Sequence, residues 1–206
     1  MDKHDQQTEQ RILQAATEVF IEKGQDGARM EEIAQRAGIN KALLHYYFRS
    51  KKQLFRKVFQ QEVNSFFQTI FQSLRPELEL EDFLCHFIDT YIDLLIRKPY
   101  MPRFIVWEVL PQTDLFKEII VPLLSSVSPT PVDIVTEKIE TAKRQGRIRN
   151  VDSLQLIVNI VGMVLFAFIG APIIEQIQPG IKVLSEDFLQ KRKAEIKSLV
   201  LNGIKK

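Results

Sequence analysis

Six basic side chains and no acidic one lie between residues 41 and 57 of this chain. The whole chain carries 28 Lys and Arg against 26 Asp and Glu, so basic residues are not in large excess. They are instead sorted by position, since no acidic residue lies among these six. A sorted stripe of cations is typical of a site for a polyanion such as nucleic acid. It is also the ordinary composition of a solvated helix face, and charge alone leaves both interpretations open.

Three of these cations surround a predicted helix start. Ser50 followed three residues later by Gln53 is a capping-box pattern, which places Lys51 and Lys52 in the first turn of a helix, directly after Arg49. Helix N-termini favour anions and offer free amide donors. The pattern therefore predicts a phosphate site, with Lys51 and Lys52 as contacts to a nucleic-acid backbone.

Residues 30–49 have the spacing of a helix-turn-helix. Ala34 lies where two short helices would cross closely. Gly38 follows four residues later, where the backbone must turn through a conformation that is costly for other residues. An apolar set faces across this turn: Ile33, Ala37, Ile39 and Leu44. In such a motif the second helix projects its first residues into the major groove of DNA.

The second helix of this motif has a predicted outward side. If Leu44 points into the core, four side chains face outwards: Lys41, Ala42, His45 and Tyr46. Small and planar groups suit base edges and sugar-phosphate walls, and a lysine can reach a phosphate or a guanine edge. Tyr47 turns towards the next helix and is also predicted to contact DNA, whereas Phe48 is interpreted as core.

The elements that position these residues are all predicted to be helices. Apolar periodicity predicts helices at 8–23, 30–37, 41–47, 51–74, 80–97, 102–109, 113–126, 132–145, 152–170 and 185–202, with Gly24 ending the first. The nine prolines fall at or near the ends of these periods. The predicted fold is all-α, with a three-helix DNA-binding domain that contains the helix-turn-helix at 1–50 and a larger helical domain at 51–206.

Composition excludes several other classes of protein. The single cysteine, Cys85, cannot form an intramolecular disulfide, and the N-terminus lacks the apolar stretch of a signal peptide, so a cytoplasmic protein is expected. The three histidines are scattered, and the sequence shows neither a glycine-rich phosphate loop nor a metal-ligand spacing. We expect no catalytic residues, no metal and no cofactor.

One segment, residues 154–174, is almost long and apolar enough to cross a bilayer. It contains Gln155, Asn159 and Gly162, which favour a helix buried in a core and a subunit contact. A small membrane-associated helical protein with this span is the alternative interpretation.

The first sixty residues resemble the DNA-binding domain of the TetR family of bacterial transcriptional regulators. The residues that carry the resemblance are Arg11, Ile12, Leu13, Ala15, Ala16, Phe20, Gly24, Gly27, Ile33, Ala34, Ala37, Gly38, Leu44, Tyr47, Phe48, Ser50, Lys51 and Leu54. Lys51 matches the family's phosphate-binding lysine. Arg29 stands where the family often has a helix-capping, phosphate-contacting threonine, and is predicted to reach the backbone. His45 replaces the usual tyrosine of the recognition helix.

The resemblance implies a homodimer that binds a pseudo-palindromic operator, commonly as a repressor, and is released by a small-molecule effector. Helices near 152–170 and 185–202 of each subunit would form the dimer contact. An apolar stripe in the last helix fits this role: Leu184, Phe188, Ile196, Leu199 and Val200.

The middle helices should enclose the effector in a largely apolar pocket. Aromatic and soft side chains of these helices are the predicted lining: Phe87, Tyr91, Phe104, Trp107, Phe116, Met163 and Phe166. The alternative for each of them is ordinary core packing, which aromatic residues at helical spacing usually serve.

Overall fold

The computed structural model describes residues 3–109, 116–125 and 128–206, without the side chains of 3–4, 107–109 and 116. Helices account for most of this part of the chain, and it contains no β-strand. The all-α prediction is therefore confirmed. In chain order the helices are α1 (Lys3–Gly27), α2 (Met30–Arg36), α3 (Lys41–Tyr47), α4 (Lys51–Ser73), α5 (Leu80–Arg97), α6 (Met101–Val109), α7 (Val121–Ser125), α8 (Pro131–Arg144), α9 (Ser153–Ile169), α10 (Ala171–Ile177) and α11 (Glu186–Ile204).

The chain forms two compact units, Met1–Ser65 and Phe66–Lys206, and the division falls inside α4. The predicted boundary between residues 50 and 51 separates the DNA-binding part from the ligand-binding part. It is a division by function and stays a prediction. Helix α4 itself is continuous from Lys51 to Ser73, as its unbroken apolar period predicts.

The first unit is built on the apolar face of α1. Ile12, Ala16, Val19 and Phe20 are fully buried, and the Phe20 ring meets the edge of the Phe55 ring of α4 at a centroid distance of 5.0 Å. Helical geometry breaks at Gly24, whose φ of 69° lies in the left-handed region. The predicted helix stop is thus a kink, after which one more turn leads to α2.

The turn between α2 and α3 is a Schellman motif centred on Gly38, with φ of 65°. The Ile39 amide donates to the Ala34 carbonyl at 3.0 Å, and the Gly38 amide donates to the Gln35 carbonyl at 3.1 Å. Asn40 then caps α3, because its side chain accepts a hydrogen bond from the Leu43 amide at 2.8 Å. These bonds fix the angle at which α3 leaves α2.

Replacing Gly38 by alanine should destabilise the first unit by about 1–2 kcal/mol, the usual cost of a left-handed conformation for a residue with a Cβ. A Cβ at this position would meet nothing within 4 Å, so the expected cost is in the backbone alone. Urea unfolding followed by amide-exchange protection in α2 measures it. Gly38→Asn is the matched control and should lose less, since asparagine tolerates this conformation. Equal stability of Gly38→Ala and the parent chain would contradict the argument.

The second unit packs α5 against α9 and α11, and α8 against α9. Leu84, Ile88 and Leu95 of α5 are almost completely buried, as are Ile160 and Val164 of α9. Two ion pairs join α11 to α5 beside this core: Lys193 to Asp93 at 2.6 Å, and Lys197 to Asp89 at 2.9 Å.

The apolar segment 154–174 does not form one helix. Helix α9 ends at Ile169 and α10 begins at Ala171, with a bend of 64° between them. In the described parts of the chain no single helix is long and apolar enough to cross a membrane, although this bent pair reaches the necessary length and composition.

Helix α10 is not among the predicted helices, because a proline at position 172 is expected to end a helix. It lies instead in the first turn of α10, where a missing amide costs little. The predicted helix 113–126 corresponds within the described residues to a π-helical turn, Phe116–Ile120, followed by α7. Residues 113–115 and 126 lie outside the described residues.

Candidate functional site

Helix α3 exposes the side on which DNA contacts were predicted. Leu44 is fully buried, whereas Lys41, Ala42 and His45 are exposed and Tyr46 keeps 77% of its surface accessible. A large aromatic side chain left this open on a short helix has a free face for a ligand. The interpretation of Phe48 as core agrees with its 8% exposure.

Lys41 forms an ion pair across the turn with Glu31 of α2. Both side chains are mostly exposed, and the lysine lowers the pKa of the Glu31 carboxyl group. Exposed ion pairs of this kind contribute little to stability. Lys41 can therefore exchange this carboxylate for a phosphate at small cost.

Tyr47 is anchored to the first helix. Its hydroxyl donates a hydrogen bond to a carboxylate oxygen of Asp5 at 2.7 Å, and this contact raises the pKa of the phenol. The half-buried ring meets the Tyr46 ring edge-on at 5.5 Å. The hydroxyl also has a hydrogen bond with the side chain of Thr8, so Tyr47 holds α3 against α1 through two residues of the first helix.

The start of α4 brings a lysine to the loop between α1 and α2. The Gln53 amide donates to Ser50 Oγ at 3.2 Å, which is the cap that the sequence predicts. Lys51 Nζ donates to the carbonyl oxygens of Asp26 and Ala28 at 3.0 and 3.1 Å. An ammonium has three donors, so the third can serve an anion while the first two hold the side chain in place.

The other two predicted backbone contacts are exposed at neighbouring helix starts. Lys52 follows Lys51 in the first turn of α4. Arg29 is the N-cap of α2 and makes no capping hydrogen bond with its side chain. The Arg29 side chain therefore does not cap α2, as the threonine hydroxyl implied by the resemblance would.

An ion-pair network between α1 and α2 was not foreseen from the sequence. Arg36 binds the Glu22 carboxylate through two bonds of 2.7 and 2.6 Å and also contacts Glu32 at 3.0 Å. Lys23 in turn contacts Glu32 at 2.7 Å. The only sequence signal available was the i, i+4 spacing of Glu32 and Arg36.

This network should make the first unit sensitive to acid. Arg36 lowers the pKa of Glu22, and Lys23 lowers that of Glu32, both from an ordinary value of 4.5. A carboxylate with a lowered folded-state pKa stabilises the fold above its unfolded pKa and loses that contribution as pH falls through the folded value.

The variant Arg36→Gln should therefore be less stable than the parent chain at neutral pH, and the difference should shrink below about pH 4.5. Urea midpoints measured from pH 7 to pH 3 for both proteins test this. A difference that stays constant across this range would show that Arg36 acts through packing and not through its ion pairs.

The second unit contains a cavity of about 280 Å³. Helices α4, α5, α6, α8 and α9 supply most of its wall, and α7 adds Leu124. The described lining is hydrocarbon and aromatic, with residues such as Phe66, Phe71, Phe87, Val135, Val161 and Leu165. Apolar walls with few polar groups are typical of small-molecule sites.

Tyr91 of α5 brings a phenol into this lining. Its ring stacks on Phe87 at 5.7 Å and meets Phe66 at 6.4 Å, and only 7% of the residue is exposed. Burial raises the pKa of the phenol, so it stays protonated near neutral pH. Tyr91 is therefore a neutral hydrogen-bonding group in an apolar surrounding.

The predicted lining residues are only partly in this wall. Phe87 and Tyr91 line the cavity, and Phe104 is buried elsewhere in the unit's core. Met163 lines a groove between α9 and α11, and Phe166 is 59% exposed, so neither is in the described wall of this cavity, and their part in ligand binding stays a prediction. The side chains of Trp107 and Phe116 lie outside the described residues. Helix α9 is apolar on all sides, and periodicity could not separate its faces.

An exposed apolar stripe runs along α9. Leu154, Val158 and Phe166 are each more than half exposed, and Leu199 of α11 is 58% exposed. In the predicted stripe of α11, however, Ile196 and Val200 are buried within the subunit. Contiguous exposed apolar side chains of this kind mark interaction surfaces.

These features are those of a helix-turn-helix DNA-binding unit. The second helix is exposed, the turn before it is fixed, and cations lie at the start of the next helix. Residues 12–58 match the sequence profile of "Bacterial regulatory proteins, tetR family". The first unit therefore contains a DNA-binding domain of this family, as the resemblance of the first sixty residues predicts.

Individual relatives agree with this assignment. The transcriptional activator FasR of Mycolicibacterium smegmatis is 34% identical over 84 residues, which are 41% of this chain and 38% of FasR. The regulator RutR of Escherichia coli O157:H7 is 24% identical over 194 residues, covering 94% of this chain and 89% of RutR. The Bacillus subtilis regulator FadR, solved with stearoyl-CoA, has the same fold with a TM-score of 0.64 at 17% identity over 95% of this chain and 98% of FadR.

Proposed function

We propose that this protein is a repressor that binds a pseudo-palindromic operator as a homodimer and is released by a small molecule. The observation that carries the DNA-binding part is the exposed side of α3, next to the first turn of α4 with Lys51 and Lys52. In this proposal Lys41, Ala42, His45 and Tyr46 face the major groove. Arg29, Tyr47, Lys51 and Lys52 contact the sugar-phosphate backbone.

The proposed dimer forms through α9 and α11. The exposed side chains of α9 and Leu199 are too apolar for a solvated surface, and a two-fold contact would bury them against their own copies. Two recognition helices related by this axis would read half-sites roughly 34 Å apart or a small multiple of that distance.

The proposed effector site is the apolar cavity of the second unit. A ligand that binds better to a conformation with misplaced recognition helices lowers DNA affinity by its differential affinity for the two states. Helix α4 belongs to both units, and it is the proposed connection: Lys51 lies at one end, and Phe66 and Phe71 of the cavity wall lie further along. Such a regulator works in the cytoplasm without catalytic chemistry.

Selection of bound DNA from a random pool by the purified full-length protein tests the proposal. We expect enrichment of an inverted repeat at fixed salt, and a reporter placed behind that repeat should be silenced by the protein. Enrichment of a single unrepeated site would contradict dimeric binding, and activation of the reporter would contradict repression. No enrichment at all would contradict operator binding by the free protein.

A further inference from the structure

The described wall of the cavity offers no partner for a charged ligand group. None of its described lining residues is charged near neutral pH, and all except Tyr91 have purely hydrocarbon side chains, aliphatic or aromatic. Placing a carboxylate, phosphate or ammonium group in such a surrounding is strongly unfavourable without a counter-charge. The part of a ligand that contacts this described wall is therefore uncharged.

The Tyr91 hydroxyl is the polar exception in this wall. Its ring is fixed by Phe87 and Phe66. Within the described part of the chain the Tyr91 hydroxyl makes no hydrogen bond, and the aromatic contacts of this residue are made by its ring. No buried side-chain oxygen or nitrogen of the described residues lacks a partner, so the unpaired Tyr91 hydroxyl keeps accessible surface. An oxygen atom on a bound molecule could form the hydrogen bond that this hydroxyl still offers.

The size of the cavity limits the group that enters it. At about 30 Å³ for each water-sized group, 280 Å³ holds roughly nine or ten non-hydrogen atoms. A group of this size is a small ring system or a hydrocarbon chain of medium length. A larger ligand would have to keep a part outside the cavity.

We propose that the effector places an uncharged hydrocarbon group of roughly ten non-hydrogen atoms in this cavity, with one uncharged oxygen hydrogen-bonded to Tyr91. The inference rests on the proposed role of the cavity as the effector site. The group can be a free neutral molecule, such as an alcohol or ketone. It can also be the acyl part of a thioester whose charged portion stays outside the cavity.

Four chain-matched probes test the proposal by calorimetric titration of the full-length protein: 1-nonanol, nonane, nonanoate at pH 8 and nonanoyl-coenzyme A. We expect 1-nonanol to bind about three- to tenfold more tightly than nonane, the usual value of one neutral hydrogen bond. Nonanoate should bind at least tenfold more weakly than 1-nonanol. The coenzyme A ester distinguishes the two sources, because tighter binding of it than of the alcohol would identify an acyl thioester.

Two variants locate the binding. Tyr91→Phe should reduce 1-nonanol to the affinity of nonane while leaving nonane unchanged, and Val161→Phe, which narrows the cavity, should weaken both. Nonanoate binding as tight as 1-nonanol, an unchanged alcohol preference in Tyr91→Phe, or no binding by any probe would overturn the inference.

Operator affinity measured with the same probes separates this inference from the proposed function. If 1-nonanol binds in the Tyr91-dependent manner but leaves DNA affinity unchanged, the ligand class holds and the regulatory role of the cavity is wrong. If DNA affinity responds only to nonanoate, the ligand class is wrong and regulation by a small molecule holds.

Discussion

Replacing Leu199 by glutamate should convert the proposed dimer into monomers and remove most of its operator affinity. Leu199 is 58% exposed on α11 beside the apolar stripe of α9. In a two-fold contact the new carboxylate would meet apolar surface and would lie near its own symmetry copy. We expect the dimer dissociation constant to rise about a hundredfold or more, from a cost of 3–5 kcal/mol for an unpaired buried charge.

DNA binding should fall with dimerisation, because the second half-site is then no longer bound at a high effective concentration. The expected loss of operator affinity is about 10²–10⁴-fold. Sedimentation equilibrium and titration of an inverted-repeat duplex measure the two effects. Ile96→Glu is the matched control, since Ile96 is 40% exposed and belongs to α5, which is not one of the two helices of the proposed contact. A Leu199→Glu protein that stays dimeric would remove α11 from the interface.

Replacing Lys51 by alanine should weaken operator binding by about 10²–10⁴-fold, with little change in the preferred sequence. Each subunit would lose one charged hydrogen bond to a phosphate, which contributes about 1.5–3 kcal/mol. The slope of log affinity against log salt should fall by about 1 for each subunit, as expected for one phosphate contact. Affinities at several salt concentrations and a repeated selection experiment measure both effects.

Lys51 also supports the fold, so the variant needs a stability measurement. Its Nζ bonds to the Asp26 and Ala28 carbonyls will be lost, and the first unit should melt at a lower temperature. Lys57→Ala is the control for removing a cation from the exposed surface of the same helix. A lower melting temperature with an unchanged salt slope would show that Lys51 is structural and does not contact DNA.

The local features of the first unit were predictable because they are encoded over a few residues. The helix starts and ends, the Gly38 turn and the Ser50 cap all depend on groups within about five positions. The contacts of the predicted DNA-binding residues were not predictable in this way. Tyr47 bonds to Asp5 and Lys51 to Asp26, and only the packed fold brings such distant residues together.

The second unit was predictable as a set of helices but not as a cavity. Helix α9 has apolar residues on every side, so its sequence could not assign Phe166 to the surface, Val161 to the cavity and Val164 to the core. The sequence predicts Tyr91 as a lining residue only because it is an aromatic residue on a middle helix. Its significance as a polar group among hydrocarbon walls depends on the residues that surround it.

The attachment of α3 has a consequence for protein engineering. The helix is held by the Gly38 turn, the Asn40 cap, buried Leu44 and the bond from Tyr47 to Asp5. None of these anchors belongs to the outward set: Lys41, Ala42, His45 and Tyr46. A combinatorial library at those four positions can therefore recode the target sequence without altering the framework that presents them, and new biosensors can inherit the same effector response.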